Sequence, residues 1–215
     1  MLNDNLGDRM KKYEYVTHTY LTSRTPVIIR IDGKAFHTFT KGFVKPFDDI
    51  FSKSMQDTMK YLCKNIQGCV LGYTQSDEIT LVLIDYQKLN SRGWFDYNIQ
   101  KMCSVSASMA TLAFNDVFIC YVREYARTEM EPSRGKITAK KERLLDIYDQ
   151  AALQGAMFDA RVFNIPKEEV TNCILWRQND ATRNSIQMVG YSNFSQKEMQ
   201  NRSCNQVQDM LMLQV

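Results

Sequence analysis

Apolar runs too short for long helices alternate along this chain with stretches whose apolar positions recur every three or four residues. Residues 25–32, TPVIIRID, form an unbroken β-branched run behind a proline, the pattern of a strand buried on both faces. It ends in Asp32-Gly33, an acid at the carboxyl edge, where open sheets tend to hold ligands. Phe47, Ile50, Phe51, Met55, Met59 and Leu62 then predict an amphipathic helix, with Asp48 and Asp49 suited to its positive end. The stretch CVLGYTQSDEITLVLID predicts two strands, at 69–75 and 78–85, that meet near Ser76-Asp77. That connection lacks the Asn-Gly, Asp-Gly or Gly-first pairs of tight hairpins, so turn chemistry leaves its acids unexplained.

Residues 98–122 carry apolar or small side chains on most faces and predict a largely buried helix. The segment 121–150 is dense in both charges and includes Pro132 and Gly135, which predicts a charged helical insert. MFDARVFNIP predicts a further strand closed by Pro166, and a helix starts near Lys167. Strand, helix, two strands, helix, strand, helix is the order of an α+β fold close to the ferredoxin-like topology, with a mixed sheet and helices on one face. One domain spanning 1–215 is expected, with 185–215 as a C-terminal appendage.

Composition narrows the chemistry. The two histidines, His18 and His37, exclude multi-histidine metal sites and most hydrolytic triads. Six cysteines without a C-x-x-C pair read as reduced thiols. No segment reads as a signal peptide or as a membrane span, so a cytoplasmic protein without a membrane partner is expected. A net charge of +3 does not by itself imply a nucleic-acid partner.

The acids carry the sharper signal. If the first strand and the hairpin are neighbours, Asp32 and Asp77 project from adjacent strand ends with Glu78 beside them. Two carboxylates about 4 Å apart repel by roughly 4 kcal/mol at an effective dielectric near 20. Mg²⁺ would turn that repulsion into binding, and two such ions suit nucleotidyl transfer, where attacking and leaving oxygens both need a cation. Gly33 allows close backbone approach, so the amides that follow could cradle a triphosphate beside Lys34, Lys41 and Lys45. Arg134, Lys136, Lys140, Lys141 and Arg143 form a basic group that could meet RNA phosphates. In ILWRQNDATRNS, Trp176 reads as core and Arg177, Arg183 and Asn184 as surface contacts.

Four segments together, VIIRIDGKAFHTFTKGFVKPFDD, YTQSDEITLVL, FDARVFNIP and WRQNDATRNS, resemble the tRNA(His) guanylyltransferase superfamily in register from about Tyr13 to Asn184. It includes bacterial and archaeal guanylyltransferase-like 3′-to-5′ RNA polymerases. The resemblance implies a polymerase-palm fold. It also implies activation of a tRNA 5′-phosphate by ATP or GTP, followed by attack of a nucleoside triphosphate's 3′-hydroxyl on the activated end. By the same resemblance Asp32, the Gly33 carbonyl and Asp77 would hold two Mg²⁺ ions, with Glu78 supporting them. The amides of Lys34, Ala35, Phe36 and His37 would hold the triphosphate near Ser76 and Lys45, and a homo-oligomer, commonly a tetramer, is implied.

The chain departs from the eukaryotic pattern at Thr182-Arg183-Asn184-Ser185, where that branch has His-Ile-Asn-Asn. The expected activity is therefore template-dependent repair of tRNA 5′ ends. The alternatives are addition of one G to tRNA(His), a nucleotidyl cyclase acting on a nucleoside triphosphate alone, and a non-catalytic RNA-binding palm.

Overall fold

The apolar run of the first segment becomes a central strand, β1 (Val27–Gly33), with Val27, Ile28, Ile29 and Ile31 wholly buried. In this computed structural model, which describes residues 5–129, 131 and 138–213, the order continues α1 (Asn5–Tyr15), β1, α2 (Phe36–Phe39), α3 (Asp49–Asn65), β2 (Cys69–Gln75) and β3 (Glu78–Leu83). Then follow α4 (Ile99–Glu129), α5 (Ala139–Gln154), β4 (Phe158–Asn164), α6 (Val170–Asn193), α7 (Gln196–Met199) and α8 (Cys204–Met212). The four strands lie in the order β2-β3-β1-β4, the ferredoxin-like arrangement expected.

Two details of the expected α+β architecture change. Every pairing in the sheet is antiparallel, so the sheet is not mixed. Helices also lie on both faces. Val27, Ile29, Ile31, Ile79, Leu81 and Leu83 pack with Met55, Leu62, Met102 and Phe114 of α3 and α4. On the other face Arg30 of β1 reaches Trp176 and Glu78 of β3 reaches Arg177, both on α6. A strand buried on both faces needs cover on both, which is why the run 27–31 shows no polar alternation until Arg30.

The charged segment 121–150 does not stand apart from the core where it is described. Its first part is the end of α4, with Val122 in the core, and α5 buries Tyr148 and Ala151. Nor does 185 mark a boundary, because α6 runs through it to Asn193. A Cβ on Gly190 would collide with Met199 and Val207, so this glycine lets α7 and α8 fold back onto α6. Against the sequence expectation, α4 is long and apolar enough to cross a membrane. Here its stripe Met102, Ser106, Ala110, Ala113, Phe114, Phe118 and Val122 faces the interior at three-and-four spacing, as a core helix does.

Two devices anchor the segments that shape the site. Asp48 caps α3, accepting from the Phe51 amide at 2.9 Å and the Val44 amide at 3.0 Å, while the Tyr148 hydroxyl donates to it at 2.6 Å. The same carboxylate thus ties the loop before α3 to α5, and burial together with this bond pushes the Tyr148 hydroxyl pKa up. The second device is a ring cluster in which Phe114 touches Phe36, Phe39, Phe51, Phe118 and Phe158. Phe114→Ala is expected to cost about 3–5 kcal/mol in urea denaturation, because the rings around the cavity cannot all close in. Phe114→Leu should cost visibly less.

Candidate active site

The site is built where β1 ends. A Cβ on Gly33 would collide with the Phe36 ring, which is buried in the aromatic cluster, so the residue must be glycine for the chain to turn back so tightly. Ala35 takes a left-handed conformation, φ 56°, in that turn. The amides of Ala35, Phe36 and His37 are consequently without acceptors among the described residues. The Lys34 amide is not available in this way, since it donates to the Met157 carbonyl at 2.9 Å.

The β2–β3 connection is a two-residue hairpin closed by the Gln75–Glu78 pair. Ser76 adopts φ 46°, a conformation that costs a non-glycine residue about 1–2 kcal/mol. The hairpin is tied sideways to β1, because the Gly33 amide donates to the Asp77 carbonyl at 3.1 Å. That bond brings Asp77 beside the end of the strand carrying Asp32, the adjacency expected from the sequence.

Strand register adds an acid that sequence reading missed. Asp32 lies directly opposite Glu78 on one side and Asp159 on the other, so three carboxylates project from one face in a row. Like charges in directly opposed positions destabilise a sheet. Burial, and then the charges of Asp77, Asp159 and Glu78, push the Asp32 carboxyl up from its usual range. Arg161 offsets part of this, lying 3.8 Å from Asp32 and 3.3 Å from Asp159. In FDARVF the alternation does put Asp159 and Arg161 on one face, but only the register against β1 shows which face and which neighbour.

Glu78 is employed differently from Asp32 and Asp77. Its Oε2 accepts from Arg177 at 3.0 Å, and both side chains are nearly enclosed, at 12% and 8% exposure. The surface reading of Arg177 is therefore corrected, and so is the core reading of Trp176. The indole is 48% exposed, with the Arg177 guanidinium over its ring, 3.5 Å from ring centre to Cζ.

A cleft of about 720 Å³ opens at these strand ends, within the range of small-molecule sites. Asp32, Gly33, Ala35, Phe36, His37, Lys45, Ser76 and Asp77 line it, and Asn184 with Ala181, Ser185 and Met188 of α6 forms one wall. Lys34, Glu78, Arg177, Arg183, Lys140 and Lys141 do not line it. Arg183 pairs with Asp180 at 2.6 Å and Lys141 with Glu129 at 2.7 Å, while Arg134 and Lys136 lie outside the described residues.

Among the described residues no three His, Cys, Asp or Glu side chains form a closed metal cage. The mutual repulsion at Asp32 nonetheless fits a hard dication that takes one or two carboxylates and draws its remaining ligands from water and phosphate.

Comparison with known proteins agrees with this fold. The family model described as tRNAHis guanylyltransferase (Thg1) matches residues 7–166. A solved bacterial tRNA(His) guanylyltransferase-like protein in complex with ATP superposes with a TM-score of 0.78 at 42% identity, covering 97% of this chain and 79% of that one. A structure of such a bacterial protein in complex with GTP gives 0.70 at 43% identity, covering 89% and 78%. The probable tRNA(His) guanylyltransferase of Homo sapiens is 27% identical over 163 residues, covering 74% of this chain. The chain spans less than two thirds of the length of such curated relatives, 45% in the human case. With the matched segment holding β1, the β2–β3 hairpin and β4, and so every carboxylate of the row, this chain belongs to the tRNAHis guanylyltransferase family.

Proposed function

We propose that this chain adds nucleotides to the 5′ end of tRNA in the 3′-to-5′ direction, restoring truncated ends against the opposite strand of the acceptor stem. The observation that carries this reading is a single cleft lined by Asp32 and Asp77 and by Ala35, Phe36 and His37, whose amides have no acceptor among the described residues. The ATP and GTP held by the bacterial relatives make a nucleoside triphosphate the natural occupant.

In the first step a tRNA 5′-phosphate oxygen attacks the α-phosphorus of ATP or GTP and pyrophosphate leaves. In the second, the 3′-hydroxyl oxygen of an incoming triphosphate attacks the activated 5′-phosphorus. The nucleoside monophosphate leaves and the hydroxyl proton passes to solvent. Asp32 and Asp77, with the Gly33 carbonyl, would hold Mg²⁺, which when bound supplies positive charge to the oxygens of the reacting phosphates. The amides of residues 35–37 donate to phosphate oxygens, and Lys45 adds a positive charge to the cleft wall. Phe36 holds that backbone still from the core side.

The absence of His at Thr182 favours repair over strict G addition to tRNA(His). Thr182 instead bonds the Gln178 carbonyl along α6 at 3.0 Å. Addition of a single G remains the second reading, supported by the family description and the human relative. Labelled nucleotides, ATP and Mg²⁺ supplied with 5′-truncated and intact tRNA(His) separate the two. Extension of truncated tRNA in template order is expected, and extension of intact tRNA(His) alone, by G alone, would reverse the ranking.

Asp77→Ala should lower Mg²⁺-dependent pyrophosphate release by about 10²–10³-fold, the loss of several kcal/mol of charge stabilisation, with the circular dichroism of the fold retained. Asp32→Asn tests the repulsion separately. Because the Asp32 pKa is raised on folding, its ionisation costs the native state stability, a cost absent in acid and present at neutral pH. In EDTA at pH 7 the Asn variant should melt at or above wild type, and it should lose the rise in melting temperature that Mg²⁺ with ATP gives the wild type.

A further inference from the structure

Helix α6 supplies one wall of the cleft, yet none of its side chains belongs to the main apolar core among the described residues. The sheet face it covers buries Ile28 and Val82, and polar contacts join the helix to the strands there. Arg177 reaches Glu78 across the interface at 3.0 Å and is steadied by Asp180 at 3.5 Å, one turn along the helix. Trp176 meets two guanidinium groups, with Cζ of Arg177 3.5 Å and Cζ of Arg30 of β1 5.5 Å from its ring centre. The Nε atoms of both arginines are buried without a partner, so these groups do not exchange freely with water. Four to eleven residues beyond Arg177, on the same helix, come Ala181, Asn184, Ser185 and Met188 of the cleft wall.

Glu78 meanwhile adjoins Asp77 in sequence but does not line the cleft. Its carboxylate oxygens are spent on Arg177 at 3.0 Å and on the Thr80 hydroxyl at 3.4 Å. Of two adjacent acids in one hairpin, one opens on the cleft and the other faces a helix.

We propose that the Glu78–Arg177 ion pair is a positioning device for nucleotide binding: it sets α6 against the sheet end and thereby the width of the cleft. Glu78 acts through Arg177 and not as a ligand of the metal. An enclosed ion pair suits this task because its geometry is narrow, and one partner without the other leaves an uncompensated buried charge. An apolar contact of the same area would tolerate sliding of the helix along the sheet.

The inference rests on the proposed nucleotidyl transfer for its kinetic test, but it has a second test that needs no activity. In Glu78→Gln, which keeps an acceptor for Arg177 and so keeps the fold, hydrogen exchange at amides 181–188 should rise about tenfold while β1 amides stay at the wild-type rate. An equal rise in β1 would mean that the pair contributes only general stability, and would overturn the proposal. Kinetically, Glu78→Gln and Arg177→Gln should each raise KM for ATP about tenfold, with kcat changed by less than about threefold and the Mg²⁺ half-saturation unmoved. Arg177→Lys, which keeps the cation, should recover most of the loss. A shifted Mg²⁺ half-saturation in Glu78→Gln, with Arg177→Gln silent, would make Glu78 a metal ligand and sink the idea. If the wild-type chain releases no pyrophosphate at all, the proposed activity fails and the exchange result alone decides the role of the pair.

Discussion

The packing of the Phe36 ring over Gly33 is the contact on which the site depends. It requires a residue without a Cβ at the end of β1, accompanies a left-handed Ala35, and leaves three consecutive amides without an acceptor among the described residues. Phe36 is held in turn by Phe39, Phe51, Phe114 and Phe158, contributed by α2, α3, α4 and β4. A cluster of close-packed rings transmits misfit over its whole extent, so the precision of the cleft end is a property of the core beneath it.

Against that rigid floor the molecule carries an electrostatic burden. Asp32 is flanked in register by Glu78 and Asp159 and lies in the field of Asp77, and among the described residues the cation paired with Asp32 and Asp159 is Arg161, half exposed to solvent. Strain and like-charge repulsion gathered at one strand end are what a fold tolerates where a ligand of opposite charge completes the arrangement. The left-handed Ser76 in the same hairpin belongs to this pattern, since a Gly or Asn would relax the turn more easily.

The two faces of the sheet are held by different physics. Toward α3 and α4 the contact is apolar and extensive. Toward α6, on the face where Ile28 and Val82 are buried, an ion pair and a guanidinium over an indole are added. The second adds direction, because an enclosed ion pair has a narrow geometry, and the cleft lies at the strand ends beside it.

Much of this was legible in the sequence because it is local. Apolar runs and a three-and-four spacing placed β1, β2, β3, β4 and α3 to within a few residues, and the Asp-Gly and Ser-Asp-Glu sequences marked the strand ends that carry acids. What was not legible depended on partners distant along the chain. Arg177 reads as a surface cation until Glu78, 99 residues earlier, is placed beneath it, and Trp176 reads as core until the helix is rotated to bury its neighbour. Asp159 is an ordinary polar position of a strand until antiparallel pairing sets it against Asp32. The sequence by itself determined which residues could bear charge at the end of which strand, because that follows from side-chain chemistry and backbone period. Only the tertiary structure decided which carboxylates face the cleft and which is spent on a helix, because that depends on register and on the rotation of α6, neither of which any local pattern encodes.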